Sequence, residues 1–385
     1  MIFDHIRSFF QSILAFFTKN ALDPLPVRHD LPGYGMAKLR ADLRAGLNVA
    51  LLGIPQGMAY AVIADVDIYH GITCGAIAAI IAALFSGSRY TILGPTNATS
   101  FMIFSFFATY PGTSDDKVAL LPFLVLLVGI ILVVGAYFRV ADLIQYISRS
   151  VVVGYITGAA VLIIANQLRQ VLGIAIPPGE DGPRTFFETC AFLVKNFSQS
   201  QLPTASLALL AGSCYFLFRK HLRGWPVFAL TLAIVTIVYA ILTNTLHFKV
   251  LCFPQFDLAD LSPGLPLPPN GFFQDFSLLF SVALSVAFLA ALENSVMSKT
   301  FASISGEHAD GNQDMLSAGL ANLGSCFFSV MPASGSLTRS QLNFSSGANT
   351  RFAGIFSGIL CGIGAILLAN SYVPVSYTHL RAHET

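Results

Sequence analysis

The sequence predicts an all-α polytopic membrane protein with an internal repeat, and three observations support this. Apolar residues make up 55% of the chain and charged residues only 11%, and the mean hydropathy is +0.69. Soluble domains carry about a quarter charged residues. The apolar runs are too long for membrane β-strands and suit spanning helices of about 20 residues. Two runs are short and marked by Gly and Pro at corresponding places in the two halves of the chain.

About eleven membrane segments are predicted from these runs. A charged lead-in, Leu39 to Ala45, precedes the first, and Phe186 to Phe197 is an amphipathic segment that competes with the sixth. Spans 1 to 11 are predicted, in order, at Gly46–Ala64, Gly71–Phe85, Thr96–Phe107, Val118–Phe138, Val151–Leu172, Pro203–Phe218, Val227–Thr243, Phe276–Val296, Met315–Val330, Ser336–Phe344 and Ala353–Ser371.

The first 38 residues precede the membrane segments. Met1 to Asn20 carries its apolar side chains on one helical stripe, interrupted by charges and followed by no small-residue cleavage site, so it is not a signal peptide. An interfacial amphipathic helix and a packing or oligomer helix both explain the stripe. Pro24 to Lys38 is interpreted as a linker.

The distribution of Lys and Arg favours a cytoplasmic N-terminus, because most of them then lie on the inner side. The outer side holds Lys117, Arg169, Arg184, Lys195 and Lys249. The net charge of +1 gives no indication of nucleic-acid binding. The six cysteines are scattered without metal-ligand spacing, so they are expected to be free thiols and no metal or other cofactor is expected.

An internal repeat follows from spacing. Gln56 in span 1 lies 39 residues before Pro95, and Glu293 in span 8 lies 39 residues before Pro332. Spans 1 to 3 therefore recur as spans 8 to 10. Because the two copies are offset by seven spans, an odd number, the second copy is inverted in the membrane. Matching broken segments of this kind indicate the midplane binding site of a transporter.

The predicted site lies where the two short spans begin, at Gly94 to Ser100 (GPTNATS) and Pro332 to Ser346 (PASGSLTRSQLNFSS). Each stretch predicts a half-helix that starts within the bilayer and directs free N–H groups and a positive dipole end into the protein. Arg339 adds a charge that is costly at membrane depth, and together these features indicate an anion site. The facing N-termini are expected to be Thr96, Asn97 and Ala98 against Gly335, Ser336 and Leu337.

Four stretches of the sequence resemble the sulfate permease (SulP) family, the solute carrier family 26 anion transporters. Residues 39–61 (LRADLRAGLNVALLGIPQGMAYA) resemble span 1 of that family, and residues 87–102 (GSRYTILGPTNATSFM) resemble its span 3. Residues 291–302 (ALENSVMSKTFA) and 319–354 (GLANLGSCFFSVMPASGSLTRSQLNFSSGANTRFAG) resemble its spans 8 to 10. In this order and spacing the motifs are specific, and the resemblance covers about Leu25 to Leu368.

The resemblance implies a seven-plus-seven inverted-repeat fold, in which a core domain (spans 1–4 and 8–11) moves against a gate domain (spans 5–7 and 12–14). A cytoplasmic STAS domain normally follows. Because the apolar spans stop after the eleventh, we expect an incomplete fold with half a gate and no STAS domain, and a parent protein that transports although this chain does not. The expected regions are an N-terminal segment 1–38, core 39–145, gate 146–250, an extracytoplasmic loop 251–275, core 276–374 and an artefactual, adaptor-like tail 375–385 (VSYTHLRAHET).

By the same resemblance, Arg339 supplies positive charge near the substrate. Ser336, Thr338 and the amides of residues 335–337 would donate hydrogen bonds to it, and residues 96–99, which are Thr96, Asn97, Ala98 and Thr99, would donate from the opposite side. Three alternatives remain open: Arg339 could be a capping or loop arginine, the Ser and Thr residues could serve close helix packing, and Tyr60 could be an interface aromatic.

Gln56 and Tyr60 lie one helical turn apart in span 1, so they share a face, and by resemblance they line the pocket. Glu293 is the second charge at membrane depth, and by resemblance it couples transport to H+ or Na+. Ser298 is a weaker addition to such a cation site. The alternative for Glu293 is a structural ion pair with Lys299 or Arg339.

The expected function is secondary active transport of an oxyanion such as sulfate, bicarbonate or a dicarboxylate, by H+ or Na+ symport or by exchange. A nucleobase permease of the same fold tends to carry a carboxylate on span 10, but residues 332–351 contain no Asp or Glu. A channel-like anion conductor is a further alternative. An intramembrane serine hydrolase is disfavoured, because no predicted span carries a histidine base at mid-depth, so no enzyme is expected. We expect a bacterial inner-membrane protein, surrounded by lipid and forming a homodimer as the full-length parent.

Overall fold

A computed structural model of the chain describes residues 22–110, 114–144, 185–222, 227–246, 272–306 and 310–369, together with isolated positions from 146 to 183, at 256 and at 263–266. Four predicted regions lie wholly outside the described residues or have half or more of their residues outside them. They are the stripe at 1–20, span 5, the loop at 251–275 and the tail at 375–385.

The described residues are mostly helical. The helices are α1 (Met36–Ile63), α2 (Ile68–Phe85), α3 (Asn97–Thr109), α4 (Ser114–Tyr137), α5 (Val140–Ile144), α6 (Phe186–Lys195), α7 (Leu202–His221), α8 (Val227–Leu246), α9 (Phe272–Ser305), α10 (Gly311–Ser325), α11 (Leu337–Ser345) and α12 (Phe352–Leu368). Short 3-10 turns occur at Pro26–Asp30, Phe197–Gln199 and Cys326–Phe328. Two strands of two residues each, β1 (Leu93–Gly94) and β2 (Ser334–Gly335), precede the short helices α3 and α11.

Several of these helices are long and apolar enough to cross a membrane. Within the described residues they are Met36–Ile63, Ile68–Phe85, Lys117–Tyr137, Leu202–His221 and Phe276–Ser305. The apolar stretches Asn97–Phe107 and Phe352–Leu368 are shorter. The helix α11 has nine residues, which is less than half of a membrane crossing at about 1.5 Å per residue.

The observed helix boundaries differ from the predicted ones where polar residues extend a helix. The helix α1 begins at Met36 rather than at Gly46, because the charged lead-in is itself helical. The helix α10 begins at Gly311, where the Asp310 side chain accepts hydrogen bonds from the amides of the first turn. It ends at Ser325, before a 3-10 turn that leads to Ser329 in the left-handed conformation. The competing segments near span 6 are both helical, as α6 and α7.

By their contacts, the described residues form two compact units, one from residues before 148 and from 259 to 366, the other from 148 to 258 and from 367 onward. In the first unit α10 packs against α4 and α2, and α9 packs against α4. The backbones of α1 and α2 touch, since a Cβ on Gly57 would lie 2.9 Å from the carbonyl oxygen of Gly71. In the second unit α7 packs against α8.

A polar clasp fixes the loop that follows α11. The buried Asp42 carboxylate on α1 accepts hydrogen bonds from the backbone N–H groups of Asn349 (2.7 Å) and Thr350 (3.1 Å) and from the Thr350 hydroxyl (2.5 Å). The next residue, Arg351, forms a partly buried ion pair with Asp30 at 3.0 Å. The clasp therefore holds the end of the second short helix against the first repeat.

Candidate functional site

The two short helices begin at a single pair of strands. The strands β1 and β2 are antiparallel, with Leu93 opposite Gly335 and Gly94 opposite Ser334. The Ser336 amide extends this pairing by donating to the carbonyl of Ile92 at 3.0 Å. Because α3 and α11 begin within three residues of the paired strands, their N-terminal ends lie at the same place in the interior of the first unit. The positive ends of two helix dipoles therefore lie side by side.

The two helix starts differ in how their backbone amides are satisfied. The helix α3 carries a capping box, in which the Thr96 hydroxyl accepts from the Thr99 amide and the Thr99 hydroxyl accepts from the Thr96 amide. The Thr99 hydroxyl is thus used within the helix, while Asn97 and Ala98 are only half-buried. The helix α11 follows Ser336, whose side chain makes no capping hydrogen bond to the amides of the first turn. Its first turn is therefore the freer donor to a ligand.

The exposure of the α11 residues separates them into two groups. Leu337 and Thr338 are exposed, whereas Ser336 and Gly335 are buried. The Ser336 and Thr338 hydroxyl oxygens are 3.4 Å apart, so one can donate to the other. Thr338 is consequently the α11 hydroxyl that a ligand approaching this helix start meets first.

Arg339 is buried behind the start of α3. Only 2% of its surface is exposed, and its Nη2 donates to the carbonyl oxygen of Pro95 at 2.6 Å. Room for the guanidinium comes from Gly94 on β1, since a Cβ there would lie 2.9 Å from Nη2 and 3.0 Å from Cζ of Arg339. The guanidinium charge therefore lies where the two short helices begin. Within the described residues, the guanidinium donates to a backbone carbonyl, that of Pro95.

Two further side chains of α11 hold the first strand and were not predicted as site residues. Ser340 accepts a hydrogen bond from the Ile92 amide at 2.9 Å, and Asn343 donates to the Tyr90 carbonyl at 3.2 Å. With Arg339, they place one face of α11 along the backbone that leads into α3. Their polar character on a short buried helix was the only sequence signal, because their partners are backbone groups.

A third unpredicted residue fixes the second strand. Asn322 on α10 is fully buried, donates to the Ala333 carbonyl at 3.0 Å and accepts from the Ala333 amide at 2.9 Å. This paired bonding imitates a neighbouring β-strand and orients the residue before β2. A buried asparagine within an apolar span was the available sequence signal.

Glu293 on α9 joins the two helix starts. Its Oε2 accepts hydrogen bonds from the Ser334 hydroxyl on β2 at 2.5 Å and from the Thr96 hydroxyl at the start of α3 at 3.1 Å. Within the described part of the chain these hydroxyls are its hydrogen-bond partners, rather than Lys299 or Arg339. One carboxylate therefore links the first repeat to the second at the proposed site.

Ser298 has a different neighbour. It lies five residues beyond Glu293, about 7.5 Å along α9 and about 140° around it. Its hydroxyl is beside the buried carboxylate of Asp314, whose Oδ1 accepts from the Ser86 hydroxyl and the Gly87 amide, both at 2.9 Å. The structure thus groups Ser298 with Asp314 rather than with Glu293.

Gln56 and Tyr60 on α1 reach the start of α11. The Nε2 of Gln56 donates to the Tyr60 hydroxyl at 2.8 Å and to the Thr338 hydroxyl at 3.0 Å. The bond to Thr338 connects α1 of the first repeat to the exposed Thr338 hydroxyl on α11 of the second repeat. The residues predicted to line the pocket are therefore in contact with one another.

Replacing Gly94 by alanine is expected to displace Arg339. Gly94 has a φ of +155°, and an added Cβ would lie 2.9 Å from Nη2 and 3.0 Å from Cζ of Arg339, closer than packing allows. Because the guanidinium is enclosed, we expect a loss of about 1–3 kcal/mol in stability, as for other overpacked sites. Thermal unfolding in detergent measures it. Gly212→Ala in α7, where a Cβ meets nothing within 4 Å, is the control. Equal unfolding temperatures for the two variants would contradict the prediction.

The fold and the paired helix starts define an integral membrane protein of the transporter type with two inverted repeats. The chain belongs to the Sulfate permease family, whose model matches residues 39–376. This confirms the resemblance found in the sequence. The family is one of membrane transporters, not of enzymes.

Individual proteins that are similar to the chain are named as transporters of the same kind. The chain is 26% identical over 352 residues to the putative sulfate transporter YvdB of Bacillus subtilis, covering 89% of this chain and 63% of that protein. It is 28% identical over 359 residues to human solute carrier family 26 member 6, covering 88% of this chain and 46% of that protein. The chain thus spans less than two-thirds of the length of these relatives.

Solved structures confirm the predicted fold class. The transmembrane domain of a cyanobacterial bicarbonate transporter, BicA, matches with a TM-score of 0.73 at 20% identity, covering 88% of this chain and 86% of that one. The murine solute carrier 26 family member A9 anion transporter, in its inward-facing state, matches with a TM-score of 0.74 at 20% identity, covering 90% and 59%. The likeness establishes the seven-plus-seven inverted-repeat fold.

Proposed function

We propose that the protein is a secondary active transporter of inorganic or small organic oxyanions, such as sulfate, bicarbonate or a dicarboxylate. The observation that carries this proposal is the pairing of β1 with β2, which brings two helix N-termini together at a buried arginine. Aligned peptide dipoles and free N–H groups stabilise a negative ligand. A guanidinium in a dry interior adds to this field, because water does not screen it.

The protein groups that would donate hydrogen bonds to the anion lie on both sides of the paired strands. Thr338 and the amide of Leu337 at the start of α11 donate from one side, and Asn97 and Ala98 at the start of α3 donate from the other. Gly335 and Ser336 were also expected to donate, but Gly335 lies in β2 and the Ser336 amide already donates to the Ile92 carbonyl. Thr96 and Thr99 support the second group through the capping box. Gln56 and Tyr60 close the site from α1, and Arg339 supplies the charge from behind.

Glu293 is the proposed coupling residue. A carboxylate that accepts from hydroxyls of both repeats can take up H+ or bind Na+ and so alter the field at the site. Symport and anion exchange are both compatible with this role. Ser298 is a lesser candidate, since its nearest acidic group is Asp314.

Alternating access is the proposed mechanism. The first compact unit would carry the bound anion as the core domain, and the second would serve as the gate. We place the protein in the bacterial inner membrane with a cytoplasmic N-terminus, as a homodimer in its full-length form. These assignments rest on the charge distribution and on the family.

Uptake into proteoliposomes tests the function. We expect saturable uptake of labelled sulfate, bicarbonate or fumarate by the full-length protein, with an inward proton or sodium gradient driving accumulation. Labelled uracil tests the nucleobase alternative, which the lack of a carboxylate on α11 disfavours. Uracil uptake without anion uptake would contradict the proposal. Conductance that neither saturates nor follows a cation gradient would instead indicate an anion channel.

A further inference from the structure

The helix α6 leaves one apolar face uncovered. Phe187 is 80% exposed and Val194 81%, and Ala191 between them is exposed as well. At about 100° per residue, these three side chains lie within about 60° of one another around the helix. Thr189 and Leu193, on the opposite side, are buried. The helix therefore packs on the protein with one face and presents the apolar face of Phe187, Ala191 and Val194 outward.

The charged side chains of α6 lie to one side of this apolar face. Glu188 and Lys195 are seven residues apart, so they share a flank about 90° from it. Glu188 also fixes the start of the helix, because its carboxylate accepts from the Thr185 amide while the Thr185 hydroxyl accepts from the Glu188 amide. An apolar face with a separate charged flank is typical of a helix that lies in the plane of a membrane surface.

The chain on either side of α6 ties it to one end of a membrane-crossing helix. The Gln201 amide, just before α7, donates to the carbonyl oxygen of Leu172 at 2.9 Å, where the predicted span 5 ends. A Cβ on Gly173 would lie 3.1 Å from the Thr204 hydroxyl oxygen, so the two segments touch. Residues 173–200, which include α6, therefore leave and return at one place. With ten residues, or about 15 Å, α6 is too short to cross the hydrocarbon core itself.

The exposed stripe of α7 reaches the same place. Leu202, Leu209 and Phe216 recur every seven residues and are all exposed, so they line one side of this candidate membrane span. An exposed apolar stripe on a membrane-spanning helix contacts lipid. Leu202, the first residue of α7, follows the short turn that carries the exposed Phe197. The lipid-contacting surface of α7 therefore leads along the chain, through Phe197, to the apolar face of α6.

We propose that α6 is an interfacial helix that binds the phospholipid surface, with Phe187, Val194 and Phe197 inserted between headgroups and acyl chains. This contact goes beyond the proposed transport function and does not depend on it. Such helices bury their apolar face about 5–10 Å into the boundary between headgroups and acyl chains. Lys195 on the charged flank then lies at the level of the lipid phosphates, which its ammonium can approach. Facing water instead, the three large side chains would form a hydrated apolar patch, which is unfavourable.

Tryptophan fluorescence tests the contact, because the chain contains one native tryptophan, Trp225, which can be replaced by phenylalanine. In that background, Val194→Trp puts the probe on the apolar face, and Lys195→Trp puts it on the charged flank one residue away. Both are reconstituted in vesicles of phosphatidylcholine and phosphatidylglycerol brominated either near the glycerol end or near the methyl end of the acyl chains. We expect shallow bromines to quench Val194→Trp at least about threefold more than Lys195→Trp, and aqueous iodide to quench in the opposite order.

Three results would overturn the inference. Equal quenching of both variants by iodide would place α6 in water. Protection of Val194→Trp from both iodide and brominated lipid would mean that protein, from a second copy or from another part of the chain, covers this face. Stronger quenching of Val194→Trp by deep bromines than by shallow ones would place the helix within the hydrocarbon core rather than at its surface.

A measurement on the unmodified chain covers the case in which the tryptophan variants do not fold. A phospholipid with a photoreactive group near the glycerol end of one acyl chain is cross-linked to the wild-type chain in the same vesicles, and the modified residues are identified by mass spectrometry. We expect cross-links at Phe187, Val194 or Phe197, beside those at Leu202 on α7. Cross-links at Leu202 without any in residues 186–197 would contradict the proposal.

Discussion

Replacing Arg339 by methionine is expected to lower the affinity for anions roughly thirtyfold. The side chain is buried, and its guanidinium contacts the Pro95 carbonyl two residues before α3. For a guest about 8 Å away, a unit charge contributes about 2 kcal/mol at an effective dielectric constant of about 20. Methionine fills most of the same volume, so the cavity cost stays small. Anion-dependent thermal shifts or isothermal titration of the detergent-solubilised chain measure the change in affinity.

The Arg339 substitution also removes the donor to the Pro95 carbonyl, so its effect on folding needs a control. Ser340→Ala removes a comparable bond, the one from the Ile92 amide, but leaves the charge in place. We expect Ser340→Ala to cost about 1 kcal/mol of stability and to leave anion affinity within about twofold. Arg339→Lys, which keeps a positive charge, is expected to recover most of the affinity. Wild-type affinity in Arg339→Met would remove the guanidinium from the site.

The pairing of the two helix starts could be predicted because its signals are local. The spacing from Gln56 to Pro95 and from Glu293 to Pro332 identified the repeat, and Pro, Gly and Ser before each short helix marked where it begins. The antiparallel pairing of residues 93–94 with 334–335 agrees with an inverted second copy. Local sequence patterns are therefore sufficient for the order and type of these elements.

The orientation of the buried side chains could not be predicted in the same way. Arg339 was expected to be near the substrate, but its contact with the Pro95 carbonyl depends on the space that Gly94 leaves in a different element of the chain. Asn322 and Ser340 bond to backbone groups, which every residue has, so no sequence pattern identifies their partners. Such contacts depend on tertiary packing.

The first residues of α1 and α10 were predicted too late in the sequence for a related reason. A hydropathy pattern marks the part of a helix that lies in lipid, whereas backbone hydrogen bonding continues into water. The lead-in to α1 carries charges and was placed outside span 1, but it forms the first turns of the same helix. The early start of α10 depends on capping by Asp310, which hydropathy does not report.

Glu293→Gln is expected to abolish gradient-driven accumulation of the anion while exchange of internal for external anion survives. Glutamine has the same shape and can still accept from Ser334 and Thr96, so the two helix starts should remain joined. It cannot take up a proton, and its neutral oxygen is a poorer ligand for Na+ than a carboxylate. Uptake with and without a proton or sodium gradient, beside counterflow with anion-loaded vesicles, separates the two activities.

The matched variant for the coupling residue is Glu293→Asp, which keeps an ionisable group but shortens the side chain by one methylene. Its accumulation should be weakened and should still follow the cation gradient, because the carboxylate that responds to that gradient remains. A loss of both accumulation and exchange in Glu293→Gln would mean that the residue holds the helix starts together rather than coupling transport. Accumulation in Glu293→Gln that still tracks the gradient would place coupling elsewhere, and Asp314 beside Ser298 is then the next buried carboxylate to substitute.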